Sequence, residues 1–325
     1  MRLEKVLVTG GAGFIGSHII DALIAEDHEV YILDNLHSGK TENIAQHLGK
    51  KCFHFIKGDV RDRETVKLAV REVDAVVHEA ALVSIARSIE DPTLTNDVNV
   101  TGTLNLLKAG LDVGVKRFIF ASSAAVYGKT EKLPNREDAA TEPASPYAAS
   151  KLAAEKHCRA FHLTHGVETV SLRYFNVYGP RQTHDQYSGV ITNFIRNLSK
   201  NEPPIIYGDG DQTRDFVNVQ DVVEATVLSL NRKSAVGKEF NIAMGEPTTI
   251  NRLAEMLLNI TGKTDLKPKH TDPRPGDIRH SYADISKAKK LLGYVPKTPL
   301  KEGLTKLVEW YKTRSPSRRK EAHLL

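Results

Sequence analysis

The run Val6-Leu7-Val8-Thr9-Gly10-Gly11-Ala12-Gly13-Phe14-Ile15-Gly16 constrains this chain more than any other stretch. A short apolar segment ends in glycines at 10, 13 and 16, and an apolar, helix-like segment follows: strand, tight turn, helix. Glycine serves a separate purpose at each place. One lets the chain turn, one lets backbone approach a pyrophosphate, and one allows close helix packing. The phosphates then lie on free N–H groups at the helix start, where the macrodipole favours negative charge. By itself a glycine triplet marks only a βα turn. A second apolar run, Val30-Tyr31-Ile32-Leu33, ends in Asp34, 18 residues after Gly16. An acid there is placed to hydrogen-bond the adenosine ribose hydroxyls and to repel a 2′-phosphate, so NAD is the expected cofactor.

At 325 residues the chain can bury a large core and form two lobes. Its 40% hydrophobic and 26% charged content are ordinary for a globular protein. No apolar run approaches membrane-spanning length, and the chain enters its first strand almost at once, so neither a membrane anchor nor a signal peptide is expected. Cys52 and Cys158 stand alone without metal-ligand spacing, which suits a reducing cytoplasm and gives no reason to expect a metal. The net charge of +5 is small and spread along the chain, with no aromatic-basic ladder, so nucleic acid is not an expected partner. Diphosphate ligands use such positive charge equally well.

Short β-like runs alternate with helical stretches, which implies an α/β fold with a doubly wound parallel sheet. The third strand is Phe53–Ile56, followed by Asp59, and Asp62 is placed to cap the next helix. Strand four, Ala75–Val77, ends at His78-Glu79-Ala80-Ala81, where small residues let a ligand approach beyond the carboxyl end of the strand. Asp91-Pro92 opens a long helix to about Asp112, with Leu104, Leu107 and Leu111 as its apolar stripe. Strand five, Phe118–Phe120, runs into Ser122-Ser123-Ala124-Ala125. Ser145 caps a helix with Pro146 at its first position, and that helix carries Lys151, Ala154, Cys158 and Phe161. Strand six is Val170–Leu172. The expected division is a nucleotide-binding domain over 1–180, to which 216–243 returns as strand, helix and strand, and a smaller, mostly helical lobe over 181–325. The residues from Ser315 read as a basic tail of solvated charge.

Tyr147 and Lys151 are four apart on a helix and therefore share a face. An ammonium beside a phenol favours the phenolate. Tyrosine ordinarily titrates near ~10, so bringing it toward neutrality takes about 4 kcal/mol of differential stabilisation. Tyr-x-x-x-Lys recurs by chance on surface helices, but here it follows a dinucleotide-binding turn and a serine-rich strand end.

Taken together, Thr9–Gly16, Ser122-Ser123 and Tyr147-Ala-Ala-Ser-Lys151 resemble the extended short-chain dehydrogenase/reductases over nearly the full chain. Within that family the chain looks most like the nucleotide-sugar 4-epimerases, the UDP-glucose and UDP-N-acetylglucosamine group. Arg173–Gly179, Gln212–Phe216 and Arg274-Pro275-Gly276-Asp277 are similar to that group's sugar-nucleotide contacts. The resemblance implies a cofactor cleft formed by Gly10, Gly13, Phe14, Ile15 and Gly16, then Asp34, Asn35, Ser38 and Gly39, with Asp59 and Val60 at the adenine. It further implies Ala80, Ala81, Asn99, Ser122, Tyr147, Lys151 and Tyr174 along the rest of the cofactor. For the substrate it implies Asn176 and Arg214 on the UDP diphosphate, Tyr207 along the uracil, and Arg274 and Asp277 closing over phosphate and ribose. Ser84, Ser123, Tyr147, Val190 and Ser281 complete that set. Guanidinium groups suit a diphosphate because they are planar, bidentate and permanently charged; taken singly, each arginine reads by default as a surface ion pair.

By the same resemblance, Tyr147 removes the proton of the sugar 4-hydroxyl while Ser123 bonds the same oxygen, Lys151 holds the nicotinamide ribose, and a transient 4-keto sugar is reduced on its opposite face. Dehydratases of the family place Asp-Glu after the catalytic residue of strand five, and decarboxylases a Glu. Here Ala124 and Ala125 can neither donate nor accept a proton. A small residue at Ser281, four past Asp277, leaves room for an N-acetyl group, and Ser84–Ile89 resembles the N-acetylhexosamine branch. The expected reaction is therefore interconversion of UDP-GlcNAc and UDP-GalNAc, with UDP-Glc and UDP-Gal also accepted. A UDP-glucuronate epimerase, a nucleotide-sugar reductase and a silent NAD-binding module stay open as alternatives. The family also implies a homodimer through the helices near 92–112 and 147–163.

Overall fold

The apolar runs of the N-terminal half become strands of one parallel sheet. The computed structural model describes residues 5–130, 132–182, 189–273 and 278–314. In it, β1 (Lys5–Thr9), β2 (Glu29–Asp34), β3 (Phe53–Lys57), β4 (Ala75–His78), β5 (Arg117–Ser123) and β6 (Glu168–Tyr174) lie in that sheet. The chain then forms β7 (Asn176–Tyr178), β8 (Ile205–Tyr207) and β9 (Thr213–Asn218) before β10 (Lys238–Ile242) returns to the sheet's edge. The order is β10-β6-β5-β4-β1-β2-β3, seven strands in all, with every pair parallel. Strands buried on both faces read as unbroken apolar sequence, and Val6, Leu7 and Val8 are fully buried. The chain leaves β1 for β2 on one side and resumes at β4 on the other, so the switch point lies at the carboxyl ends of β1 and β4, where such sheets bind ligands.

Helices cover both faces. On one, α1 (Phe14–Ala25) packs with the later helix over Val219–Asn231 around Val8, Val77, Ile119 and Leu172. On the other lie α2 (Arg63–Val70), capped by Asp62, and a helical run from Asp91. That run is less regular than the sequence predicts. A short helix α3 (Ile85–Glu90) precedes α4 (Pro92–Asn96), capped by Asp91; a π-turn over Asp97–Thr101 then leads into α5 (Gly102–Val113). The π-turn inserts a residue and rotates the face, so α5 buries Thr103, Leu106 and Leu107, while Leu104 and Leu111 are only half-buried. Next is α6 (Pro146–His165), with Ser145 as N-cap, Pro146 first and Cys158 fully buried.

In the C-terminal half, α7 (Val190–Ser199) precedes α8 (Val219–Asn231), already placed on the sheet. β11 (Pro247–Thr249), α9 (Ile250–Thr261), β12 (Lys269–Thr271), β13 (His280–Ser281), α10 (Ser286–Leu292) and α11 (Leu300–Arg314) follow. Phe194, Leu253, Leu257, Leu304 and Leu307 build a separate core between α7, α9 and α11. The return of 216–243 to the nucleotide-binding sheet is made by α8 and β10 alone. β9 pairs instead with β7, β11 and β13 in a small sheet that the sequence did not predict, and β8 pairs with β12. The fully buried Asp215 of β9 accepts from the backbone N–H of Met244 (2.8 Å), Gly245 (3.0 Å) and Ala283 (3.1 Å), tying this sheet to the exit of β10. Among the described residues no helix is long and apolar enough to cross a membrane. The basic segment from Ser315 lies outside the described residues.

Candidate active site

The glycine turn after β1 is built for close approach. Gly10 has φ +67°, and a Cβ there would sit 2.8 Å from the backbone nitrogen of Ala80. A Cβ on Gly16 would strike the Gly10 carbonyl. Gly13 is the N-cap of α1 and provides no side-chain cap, so the N–H groups of Phe14 and Ile15 face out of the helix start. Asp34 lies beside this turn. Its Oδ2 accepts from Ala12 N at 2.9 Å and its Oδ1 from Leu36 N at 2.7 Å, while Gly39 keeps clear space against that carboxylate. Burial raises the Asp34 carboxyl above its ordinary value, and the two backbone bonds oppose this. Asp59 takes Arg61 through both oxygens (2.9 and 2.8 Å) and Asn35 Nδ2 at 2.8 Å. The Arg61 bonds hold it far below the usual carboxylate range. Val60 is buried against Gly102, and Ser38 is exposed in the loop after β2.

A chain of hydrogen bonds fixes the far side of the turn. Thr103 Oγ1 donates to Asn99 O (2.6 Å) and therefore accepts from His78 Nε2 (2.9 Å); His78 Nδ1 accepts from Thr9 Oγ1 (2.7 Å), which itself accepts from Ala80 N (3.2 Å). Asn99, in the π-turn, spends its amide on this scaffold: it accepts from Leu82 N and donates to Leu82 O and to Ser150. It ties Leu82, next to Ala81, to Ser150 of α6. Ser84 likewise caps α3 by accepting from Arg87 N.

At the end of β5, two adjacent serines do different work. Ser122 donates to buried Glu155 (2.8 Å), behind the strand. Ser123 accepts from Ala125 N (3.2 Å) and hydrogen-bonds the phenol of Tyr147. Lys151, buried one turn further along α6, donates to the Ala121 carbonyl (2.8 Å), with its ammonium 5.1 Å from the centre of the Phe120 ring. Here the structure corrects an expectation. Burial holds Tyr147 above the ordinary tyrosine value, with the Ser123 bond pulling the other way and the charge of Glu79 adding to the rise. Lys151 is itself lowered by burial, and its ammonium donates to the Ala121 carbonyl. Tyr174, the last residue of β6, donates to Glu79 Oε1 at 2.8 Å. Sequence reasoning passed over Glu79; a carboxylate closing an apolar strand at the switch point is the signal that was there to read.

The polar residues beyond β6 converge on β9. Asn176 on β7 is exposed and pairs in register with Phe216, and Arg214 lies between Thr248 of β11 and Ser281 of β13. Arg214 donates to the Thr213 carbonyl (2.8 Å). Tyr207, at the end of β8, is joined to this group by Gln212, which donates to its carbonyl (2.8 Å). Val190 is half-buried at the start of α7. Arg279, which the sequence did not single out, pairs with Asp209 through 2.6 and 2.8 Å bonds. Arg274 and Asp277 lie outside the described residues. Among the described residues no group of three or more His, Cys, Asp or Glu is placed to hold a metal ion.

The sequence matches the profile of a family described as GDP-mannose 4,6 dehydratase over residues 7–307. The UDP-glucose 4-epimerase of Mycolicibacterium smegmatis is 37% identical over 313 residues, covering 96% of this chain and 99% of its own. The chain belongs to the extended short-chain dehydrogenase/reductase family. Two solved members of this family superpose closely. The UDP-N-acetylglucosamine 4-epimerase of Methanobrevibacter ruminantium, solved with UDP-N-acetylmuramic acid, is 40% identical with a TM-score of 0.92, covering 97% of this chain and 100% of that one. The UDP-glucose 4-epimerase of Thermotoga maritima, solved with UDP-glucose, is 39% identical with a TM-score of 0.90, covering 95% and 99%. The cleft of this dehydrogenase/reductase fits NAD: a side chain at Gly10 or Gly16 would fill the phosphate cradle, and Asp34 offers carboxylate lone pairs to two ribose hydroxyls.

Proposed function

We propose that the protein is an NAD-dependent UDP-hexose 4-epimerase that interconverts UDP-GlcNAc and UDP-GalNAc and also accepts UDP-Glc and UDP-Gal. The observation that carries this reading is the end of β5, where Ser123 meets Tyr147 and is followed only by Ala124 and Ala125. Ser123 accepts from Ala125 N, so its O–H, which meets the Tyr147 phenol, can turn to donate to a sugar oxygen. Tyr147 takes and returns the proton of the 4-hydroxyl. Lys151 spends one N–H on Ala121 and keeps two for the nicotinamide ribose. NAD, when bound, supplies the hydride acceptor and donor that pass through a 4-keto sugar. Neither alanine can donate or accept a proton, so elimination of water, the reaction named for the family profile, lacks its acid.

Residues 1–180, with α8 and β10, carry the cofactor in this reading, and 181–325 hold the UDP-sugar. Asn176 and Arg214 serve the diphosphate and Tyr207 the uracil. Ser281, in register with Arg214, flanks the sugar's C2 substituent, where its small side chain leaves space for an acetamido group. Exposed apolar side chains at Val113 and Leu163, on the two helices of the expected homodimer, support that assembly. Two free cysteines suit a reducing cytoplasm.

Incubation with a panel of UDP-sugars, with product stereochemistry read by NMR, tests the reading. The expected result is inversion at C4 of UDP-GlcNAc without net absorbance change at ~340 nm. Inversion of UDP-glucuronate alone would assign a different substrate, and stoichiometric NADH consumption a reductase. Ser281→Tyr should abolish turnover of UDP-GlcNAc and spare UDP-Glc; equal loss of both removes Ser281 from the specificity argument.

A further inference from the structure

Glu79 follows β4 at the switch point, and its backbone N–H is anchored on the Thr9 carbonyl (3.2 Å). Its carboxylate accepts from the Tyr174 hydroxyl (2.8 Å), and that hydroxyl shares a 3.0 Å contact with Thr226 of α8. Tyr174 is in register with Ser123, and His78 with Phe120, so Glu79 is held across β5 at the level of Ala121 and the serine pair. Ala121 is also the residue whose carbonyl holds the Lys151 ammonium. A half-buried carboxylate, pushed up by burial to about 7, is thus fixed from two sides, and above that pH its charge acts on both Lys151 and Tyr147. A glutamine would pin β4 to β6 equally well, because Tyr174 needs only an acceptor. The charge is what glutamate adds.

We propose that Glu79 is a positioning residue for the acid–base pair, its carboxylate serving as the counter-charge to the Lys151 ammonium and setting the pH range over which Tyr147 and Lys151 hold their working protons. The proposal rests on the epimerase reading above. The groups facing Glu79 are few. From α6 come Lys151 and Tyr147, from β6 comes Tyr174, from β4 comes His78, which is neutral, and Thr226 of α8 carries no charge. Burial drives Lys151 toward losing its proton, and the Glu79 charge opposes that; the same charge makes Tyr147 harder to ionise. Removing it moves both groups the same way.

Glu79→Gln keeps the acceptor for Tyr174 and removes the charge. Both limbs of the pH–kcat/KM profile of the NAD-loaded enzyme should then move to lower pH by about one unit. Ultraviolet difference titration of tyrosinate, with the Tyr147→Phe curve subtracted, reads the Tyr147 part of this shift without requiring turnover. Glu79→Leu should give the same displacement together with a lower thermal midpoint, because it also strands the Tyr174 hydroxyl. Displacement in both variants supports the charge role. A Glu79→Gln profile and titration that superimpose on the parent's overturn it, whatever happens to the rate, and leave Glu79 a purely structural acceptor. Should no UDP-sugar be turned over, the epimerase reading fails, while the tyrosinate titration still decides the role of Glu79.

Discussion

Glu155 and Arg173 form a bidentate ion pair in the interior, with bonds of 2.6 and 3.0 Å and both side chains almost fully buried. The pair is the structural back of the active site. Glu155 is two turns along α6 from Tyr147 and takes the Ser122 hydroxyl; Arg173 precedes Tyr174 and donates to the Tyr127 hydroxyl (2.9 Å), which donates on to Asn241 (2.6 Å). Burying two charges costs nearly as much as their attraction returns, but breaking the pair leaves one charge stranded. Glu155→Gln should therefore destabilise the fold by about 3–5 kcal/mol, and Glu155→Leu with Arg173→Met should recover most of that loss. Urea unfolding of the single and double variants checks this, and additive losses would contradict it.

Loss of the phenol tests the proton-transfer role directly. Tyr147→Phe should retain NAD and the parent's stability while turnover falls by at least ~10²-fold, the range expected for a positioned acid–base group. Ser123→Ala should also lower turnover with NAD retained. Near-normal turnover in the phenylalanine variant would remove Tyr147 from the chemistry.

The phosphate cradle depends on backbone that a side chain would fill. Gly10→Ala places a Cβ against Ala80 in a left-handed conformation, a strain of about 1–2 kcal/mol before any displacement of Ala80. Mass spectrometry of the denatured parent should release NAD rather than NADP, because Asp34 repels a 2′-phosphate, and the Gly10→Ala protein should release little of either. An NADP-loaded parent would contradict the role given to Asp34.

His78 makes stability depend on pH in a stated direction. An imidazole ordinarily takes its proton near ~6.5. In the fold, burial pushes His78 down to about 3, with the Lys151 charge acting the same way. Between those values the unfolded chain binds a proton that the native chain refuses. Stability present above the unfolded value is therefore lost as pH falls, by about 1.4 kcal/mol per pH unit from this one group. Protonation also takes away the Nδ1 lone pair that accepts from the Thr9 hydroxyl, so that O–H loses its acceptor. Urea midpoints at about pH 7 and pH 5 should drop more steeply in the parent than in His78→Gln; equal slopes would contradict the assignment.

What could be read from the sequence was whatever a local pattern encodes. Strands β1, β2, β4 and β5 contain unbroken apolar runs because the sheet is covered on both faces, and the caps at Asp62 and Ser145 sit where helical periodicity begins. The Tyr147–Lys151 spacing carries its own face information. The pairs that support the site carry none. Glu155 and Arg173 are 18 residues apart, and Glu79 and Tyr174 are 95 apart, so each looks like an isolated polar residue in its own segment. The small sheet around β9 was equally hidden. Its strands run from two to six residues, too short for period-two alternation, and only pairing brings Asn176, Arg214 and Ser281 together. The π-turn at Asp97–Thr101 lay inside an otherwise continuous helical pattern, and Asn99 makes its contacts only because of it.

The central claim is that the hydrogen leaving C4 returns to C4 of the same sugar. UDP-GlcNAc deuterated at C4 tests this most directly, mixed with unlabelled substrate carrying a heavy-isotope acetyl group. The account predicts UDP-GalNAc that keeps deuterium at C4, with none transferred to the acetyl-labelled partner and none lost to solvent. Loss of deuterium to water, its crossover between the two sugars, or accumulation of a 4-keto product would contradict it.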